Sequence, residues 1–328
     1  MPNEKDYAIF ESIPKLLYKT NSQRFTLGHE PVNTHLEGCY VLLKNTIPVG
    51  RFAFYENPNL TYHNQPASCI GSYECLDDLD CSNYLLSHAK NLAKKKNYNW
   101  LIGPMDGSTW NGYRFSSHHE TKNFFMEPYH HLYYTKQFTN VGFEVISKYV
   151  SNLATDLAFD PELLKKSAEE YRSQGAVIRN LRMDDFDNEM RKLAQCSIDW
   201  FENNFLYTPI SVDEFVCKYT KLKPIFDPRL VWIIENKNGE INAFLFAIKD
   251  YWDPSNQTLI IKSLARKHNS PFKKIGAFLS GLLNQTATQL GYTKVIHAMM
   301  ISENASLDIS NKRSATSHKS YQLYGMKL

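Results

Sequence analysis

Few residues in this sequence have the type and setting to do chemistry. His297, in the run TKVIHAMM (293 to 300), shares a strand face with Val295 and Met299. It is a base if that face lines a cleft and a satisfied core histidine if it does not. Glu74 stands inside the otherwise apolar run SCIGSYEC (68 to 75). There it binds or deprotonates a cationic amine if the strand borders a cleft, and is otherwise an edge or solvent-facing residue. Tyr321 and Tyr324 in SYQLYGMKL lie three apart, so they face opposite ways on a strand. The turn-rich loop GPMDGSTWNGYRFSSHHE (103 to 120) offers Trp110, Asn111, Tyr113 and Arg114 as substrate contacts, or is an ordinary packed loop. His118-His119 and His130-His131 are adjacent pairs whose side chains diverge, so neither chelates a metal by itself. The six cysteines show no CxxC spacing and read as buried reduced thiols. No metal is expected. In SLARKHNSPFKKIGAFLSGLL (263 to 283) a strand-like run ends at Arg266, polar residues follow, and an apolar helix begins near Ile275. By local spacing alone this is a basic surface loop before a core helix.

The frame that positions these residues is large enough for two domains. With 328 residues and 43% hydrophobic content, the chain can bury one large core or two cores of about 150 residues each. Its 37 basic and 34 acidic residues leave a net charge of +3, which does not advertise a polyanion, so no nucleic-acid partner is expected and any anion site must be local. Lys94 to Lys96 complement the carboxyl end of a helix. No run approaches the roughly 18 apolar residues of a membrane helix, and a cytoplasmic protein with no membrane partner is expected.

The order of elements repeats. GCYVLLKNTIPVGRFAFYENP (38 to 58) and LVWIIENKNGEINAFLFAIKD (230 to 250) each read as a hairpin, the second turning at Asn238-Gly239. A third strand follows each, SCIGSYEC and TLIIKSLAR (258 to 266), then an amphipathic helix, then NWLIGP (99 to 104) or TKVIHAMM. Each strand, helix, strand unit implies a parallel pair. The offset of about 190 residues argues for two similar mixed α/β domains, 1–155 and 176–328. DPELLKKSAEEYRSQG (160 to 175), with Asp160 as N-cap, Pro161 at the first helical position and Gly175 as stop, connects them. The second half adds a strand (176 to 182) and two helices before its hairpin, while the first half has only FESIPKLLYKT (10 to 20).

Strand, two helices, three antiparallel strands, helix, strand: in that order the second half resembles the GNAT N-acyltransferase superfamily, and the whole chain resembles a tandem pair of such domains. The family's pyrophosphate loop, Arg/Gln-x-x-Gly-x-Gly/Ala, falls on Pro271, Lys274 and Gly276 of PFKKIGA, where only the last glycine matches. Asn304 in SENAS matches an asparagine that follows the next strand, and VGFEVISKY (141 to 149) resembles the family's late helix ending and strand. The resemblance implies acetyl-CoA or another acyl-CoA as co-substrate and an amine of a small molecule or protein as acceptor. It also implies a bulged third strand, so that the backbone around Ser263, Leu264 and Ala265 would hold the thioester carbonyl. Lys273, Lys274, Ile275, Gly276 and Ala277, at a helix amino end with orphan N–H donors, would face the pyrophosphate. His297 is then a candidate base, Tyr321 or Tyr324 a candidate acid for the departing thiolate, and Glu74 a candidate contact for the amine.

In the first half the corresponding loop is LDDLDCSN (76 to 83), where Asp77, Asp78 and Asp80 cap the helix themselves and repel an anion. Only the second domain is therefore expected to bind acyl-CoA. Two rival readings are a Fem-like transferase using charged tRNA, whose usual helical-hairpin insertion is not seen here, and a non-catalytic binding module on the same scaffold.

Overall fold

The computed structural model describes residues 7–18, 31–117, 121–302, 310 and 315–328. The chain forms two compact units, the first holding residues 1–148, 205–208 and 320–328, the second 149–204 and 209–319.

The elements in chain order begin with α1 (Tyr7–Tyr18), β1 (Leu36–Lys44), β2 (Ile47–Tyr55), β3 (Thr61–Tyr62), β4 (Gln65–Cys75), α2 (Leu79–Lys95), β5 (Trp100–Gly103), β6 (Phe115–Ser116), α3 (Tyr133–Asn140) and β7 (Glu144–Ala154). They continue with α4 (Pro161–Ser173), β8 (Val177–Asn180), α5 (Phe186–Trp200), α6 (Val212–Thr220), β9 (Val231–Glu235), β10 (Ile241–Lys249), β11 (Thr258–Arg266), α7 (Ile275–Gln289), β12 (Lys294–Ile301) and β13 (Thr316–Lys327). The mixed α/β reading and the repeated order of elements hold.

In the first unit β1, β2 and β4 are antiparallel neighbours, and β4 runs parallel to β5 through Ala67↔Trp100, Ser68↔Leu101 and Cys69↔Ile102. The β1–β2 turn works because Asn45 and Thr46 both take positive φ, +50° and +67°, which matches the twist of a two-residue hairpin. β5 then pairs with β13, from the far end of the sequence. The core lies where α2 sets Leu85, Leu86, Ala89 and Ala93 among Ile70, Tyr73, Phe138, Tyr324 and Met326. Burying each large apolar side chain is worth about 1.5–3 kcal/mol.

The second unit repeats the plan. β8, β9, β10 and β11 are antiparallel neighbours, β11 runs parallel to β12, and β12 pairs with residues 149–154 of β7. Its core gathers Ile275, Phe278, Leu279, Leu282 and Leu283 of α7 against Leu245, Ala247 and Leu259. Asp160 caps α4 by accepting from Leu163 N–H at 3.0 Å, and Gly291 (φ +83°) follows α7. Arg179 on β8 is half-buried between Glu189 of α5 and Glu235 of β9, an ion triad that fastens the first strand and helix of this unit.

Each unit is thus completed by a strand from the other half of the sequence: β13 for the first, the end of β7 for the second. Hydrophobic periodicity carries no information about this exchange, and the division at residues 155 and 176 does not include it.

Candidate functional site

The second unit brings together most of the residues singled out for the acyl donor. Ile261 is the last residue of β11 to pair with β12, opposite His297, and beyond it the two strands part. Ser263, Leu264 and Ala265 stay in register with Phe246, Leu245 and Phe244 of β10, and the register steps over Lys262 between Ile261 and Ser263, a one-residue bulge. β12 meanwhile continues along β7 with its own irregularity at Met299 (φ +53°), whose N–H donates to Ser151 Oγ at 2.9 Å. His297 therefore stands at the apex of the divergence, facing Asn152 across the β7 pair and largely buried.

The loop that follows is pinned at both ends. Lys267 N–H donates to Asn242 O, and Phe272 is 2% exposed. The ring of Tyr171 meets Phe272 and Phe278 edge-on at 5.6 and 5.0 Å, while its hydroxyl donates to Lys273 O at 2.5 Å. Lys274, where the family pattern has glycine, takes the left-handed conformation that glycine favours, φ +57° and ψ +21°. A side chain there costs on the order of 1–2 kcal/mol relative to glycine, but the loop follows the path a glycine would allow. As N-cap of α7, Lys274 makes no side-chain capping bond, and no acidic residue stands in the first turn. Ile275 is buried, Gly276 half-buried, and Lys273, Lys274 and Ala277 are exposed. A basic, exposed helix amino end of this kind favours an anion.

The same place in the first unit is built differently. Asp78 caps α2, its Oδ1 accepting from the N–H groups of Asp80 (2.9 Å) and Cys81 (3.1 Å), and its Oδ2 pairs with Lys44 at 2.9 Å. The Lys44 ammonium and these backbone donors hold the Asp78 carboxyl well below the usual carboxylate range. β4 also carries a bulge: Arg51 faces Glu74 and Ala53 faces Gly71, so Phe52 lies opposite both Ser72 (φ +48°) and Tyr73. Sequence reading missed the residue at this bulge, Asp106. It accepts from Ser72 Oγ at 3.1 Å and Tyr55 Oη at 3.4 Å. Burial pushes its carboxyl upward, against the pull of the Ser72 donors and the Arg51 charge. Its only sequence signal is a carboxylate in the loop GPMDG.

The remaining candidates are placed as follows. Glu74 is not an edge or solvent-facing residue: it is 2% exposed and accepts from Tyr18 Oη (2.8 Å) and Tyr134 Oη (2.6 Å) in the first unit. Tyr321 and Tyr324 also belong to the first unit and are buried, Tyr321 donating to Glu127 Oε1 at 2.9 Å and Tyr324 to Gln322 Oε1 at 2.6 Å. Burial raises the Tyr324 phenol to about 12. In the 103–117 loop, Trp110 Nε1 donates to Thr208 O, Asn111 Nδ2 donates to Asp106 O, and the buried Arg114 guanidinium lies 3.7 Å over the Tyr113 ring. These bonds hold the loop's shape. Asn304, His118 and His119 lie outside the described residues.

His130 Nε2 accepts from Ser116 N–H and His131 stacks on Tyr18 at 4.4 Å, so the second pair packs the first unit. Among the described residues no group of three or more His, Cys, Asp or Glu is arranged to hold a metal, and no helix is long and apolar enough to cross a membrane. Cys217 is exposed and Cys39 and Cys196 are only half-buried, so the expectation of buried thiols fails for these three. Lys96, just past the end of α2, pairs with Glu56 (2.7 Å) and Glu37 (3.1 Å).

No protein-family model matches this sequence, and no curated protein matches it. Solved structures do. A GCN5-related glucosamine N-acetyltransferase region of a fungal multi-domain GH3 β-N-acetylglucosaminidase superposes on 99% of this chain with a TM-score of 0.59 at 11% identity. This chain spans 37% of that protein, just over a third of its length. A GCN5-related N-acetyltransferase from Anabaena variabilis matches over 98% of this chain and 70% of its own, with a TM-score of 0.56 and 10% identity. A tandem GNAT protein from the clavulanic acid biosynthesis pathway matches over 88% and 82%, with a TM-score of 0.50 and 9% identity. At such identities the likeness is one of fold. The chain has the tandem fold of the GNAT acyltransferases.

Proposed function

We propose that the protein is an acyl-CoA-dependent N-acyltransferase, with acetyl-CoA the first donor to test, that acylates an amine of a small molecule or protein and binds its donor in the second unit alone. The observation that carries this reading is the amino end of α7: exposed, flanked by Lys273 and Lys274, free of first-turn acids, and lying after a bulged strand that departs from its parallel neighbour. Its first N–H groups and two ammonium groups suit a pyrophosphate. Each hydrogen bond to an ionised oxygen is worth roughly 1.5–3 kcal/mol.

Bound acyl-CoA would supply the activated acyl carbon. The backbone of Ser263 to Ala265, just past the Lys262 bulge, is the part of the chain that would orient the carbonyl and stabilise the oxyanion. His297, at the apex of the strand divergence, would take the proton of the attacking amine as the C–N bond forms. It would return that proton to the thiolate sulfur as the C–S bond breaks. This assigns both transfers to a residue of the second unit; Tyr321 and Tyr324 are buried side chains of the first.

Thermal shift of the full chain with acetyl-CoA, longer acyl-CoAs and free coenzyme A, followed by thiol release across an amine panel, tests the reading. Stabilisation by the coenzyme A series and thiol release with at least one amine are expected. No stabilisation by any of them would overturn it.

A further inference from the structure

Asp106 has no part in the reaction just described. It is half-buried and follows β5 in the loop that crosses the β4 bulge. Its Oδ1 accepts from Ser72 Oγ and Tyr55 Oη. The Ser72 backbone N–H also pulls on the carboxyl, and among the described residues no lysine, arginine or histidine forms an ion pair with it. The Arg51 charge acts on it through space, while Arg51 Nη1 donates to Phe10 O and its guanidinium lies 4.3 Å over the Phe10 ring. Removing a carboxylate from water is costly even with the Arg51 charge nearby, in keeping with the upward push on its proton affinity.

Both neighbours that could cover it are glycines. A Cβ on Gly71 would sit 2.0 Å from Oδ1, and one on the exposed Gly112 would sit 2.9 Å from Oδ2. The backbone therefore approaches Oδ1 closely, while the side of Oδ2 toward Gly112 carries no side chain. Ser72 takes positive φ in the bulge beside Oδ1. Oδ1 is held by the Ser72 and Tyr55 hydroxyls, and Oδ2 lies beside Gly112, an exposed residue.

We propose that Asp106 is a binding site for a protonated primary amine, with an ammonium N–H donating to Oδ2 and its charge offsetting the burial of the carboxylate. The choice of an amine over other cations rests on the N-acyltransferase reading; the need for a cationic donor rests on the Asp106 geometry. An anion is disfavoured by charge, and a water molecule would add no positive charge to that of Arg51.

Calorimetric titration of the full chain, with no acyl-CoA present, tests this with lysine methyl ester, glucosamine and spermidine, and with N-acetylglucosamine as the uncharged control. At least one amine is expected to bind and the control not to. Affinity is expected to fall roughly 10-fold or more in Asp106→Asn, which keeps the acceptor for Ser72 and Tyr55. A similar loss is expected in Gly112→Ala, which leaves the carboxylate in place and puts a methyl against Oδ2. Equal binding to wild type and Asp106→Asn, or binding of none of the amines, would overturn the proposal. So would the gain of a second equivalent of coenzyme A by Asp106→Asn, since Asp106 would then be an internal plug. Because no donor is present, loss of amine binding is read separately from failure of the acyl-CoA reading, which the thermal shift alone decides.

Discussion

The amino ends of α2 and α7 hold the same place in a repeated plan and are built with opposite charge. A helix amino end carries roughly half a positive charge and several N–H groups without intrahelical partners. In the first unit Asp78 answers both from within the chain, and Lys44 fixes it there. In the second unit the N-cap is Lys274, with no capping side-chain bond and no acid in the turn. If the second unit alone binds the donor, as proposed, a duplicated fold retires one ligand site without disturbing its architecture, by letting a carboxylate stand where an anionic ligand would. The other helix end accommodates lysine in place of glycine, because the backbone path at Lys274 is the one glycine would take.

Several variants would break or sharpen this contrast. The largest effect is expected from Phe272→Ala, which removes the buried anchor of the second unit's loop and should cost about 3–5 kcal/mol in urea unfolding. Leu79→Ala at the exposed start of α2 should stay within about 0.5 kcal/mol. Comparable losses in the two would mean that the loops are held alike. Tyr171→Phe deletes the bond to Lys273 O while keeping the ring contacts, and should cost about 1 kcal/mol together with a several-fold loss of donor affinity. Lys274→Gly should stabilise the protein by about 1 kcal/mol, through relief of the left-handed lysine, and yet weaken donor binding through loss of a charge. Stability and affinity moving the same way would contradict that division of roles.

The smallest effects are pH effects of opposite sign. The Asp78 carboxyl is held low in the folded state, so its stabilisation is present above the unfolded value of roughly 3.9 and is lost as pH falls toward its folded value. Asp106 is pushed high, so the unfolded chain releases that proton first and stability falls as pH rises through the window above roughly 3.9. At pH 7, Asp78→Asn should lower Tm and Asp106→Asn should raise it. A fall in both would show that Asp106 is a stabilising residue and not one held at a cost.

Much of the fold was legible because each element carries its own local signals. Asp160 and Pro161 open α4, Gly291 follows α7, Asn238-Gly239 turns the second hairpin, and TLIIKSLAR is β11 to the residue. The strand exchange was not legible, because a strand's period of two says which face is buried and nothing about which sheet it joins. Tyr321 and Tyr324 are an example: both lie in the first unit, bound to Glu127 and Gln322. The burial of Glu74 is not legible locally because its donors, Tyr18 and Tyr134, stand 56 and 60 positions away. The charge contrast between LDDLDCSN and PFKKIGA was legible, since capping chemistry is local, whereas Asp106 depends on a bulge and two glycines that meet only in three dimensions.

The contrast between the two helix ends is tested most directly by the stoichiometry of acetyl-CoA binding to the full chain, measured by titration calorimetry on three proteins. The full chain is needed because residues 320–328 complete the first unit and residues 149–154 the second. Wild type and Asp78→Asn are each expected to bind one equivalent with affinities within about 2-fold, while Lys273→Glu/Lys274→Glu loses roughly 100-fold or more. Two equivalents in wild type, or a loss of binding in Asp78→Asn with binding kept in the lysine variant, would contradict the assignment of the donor to the second unit.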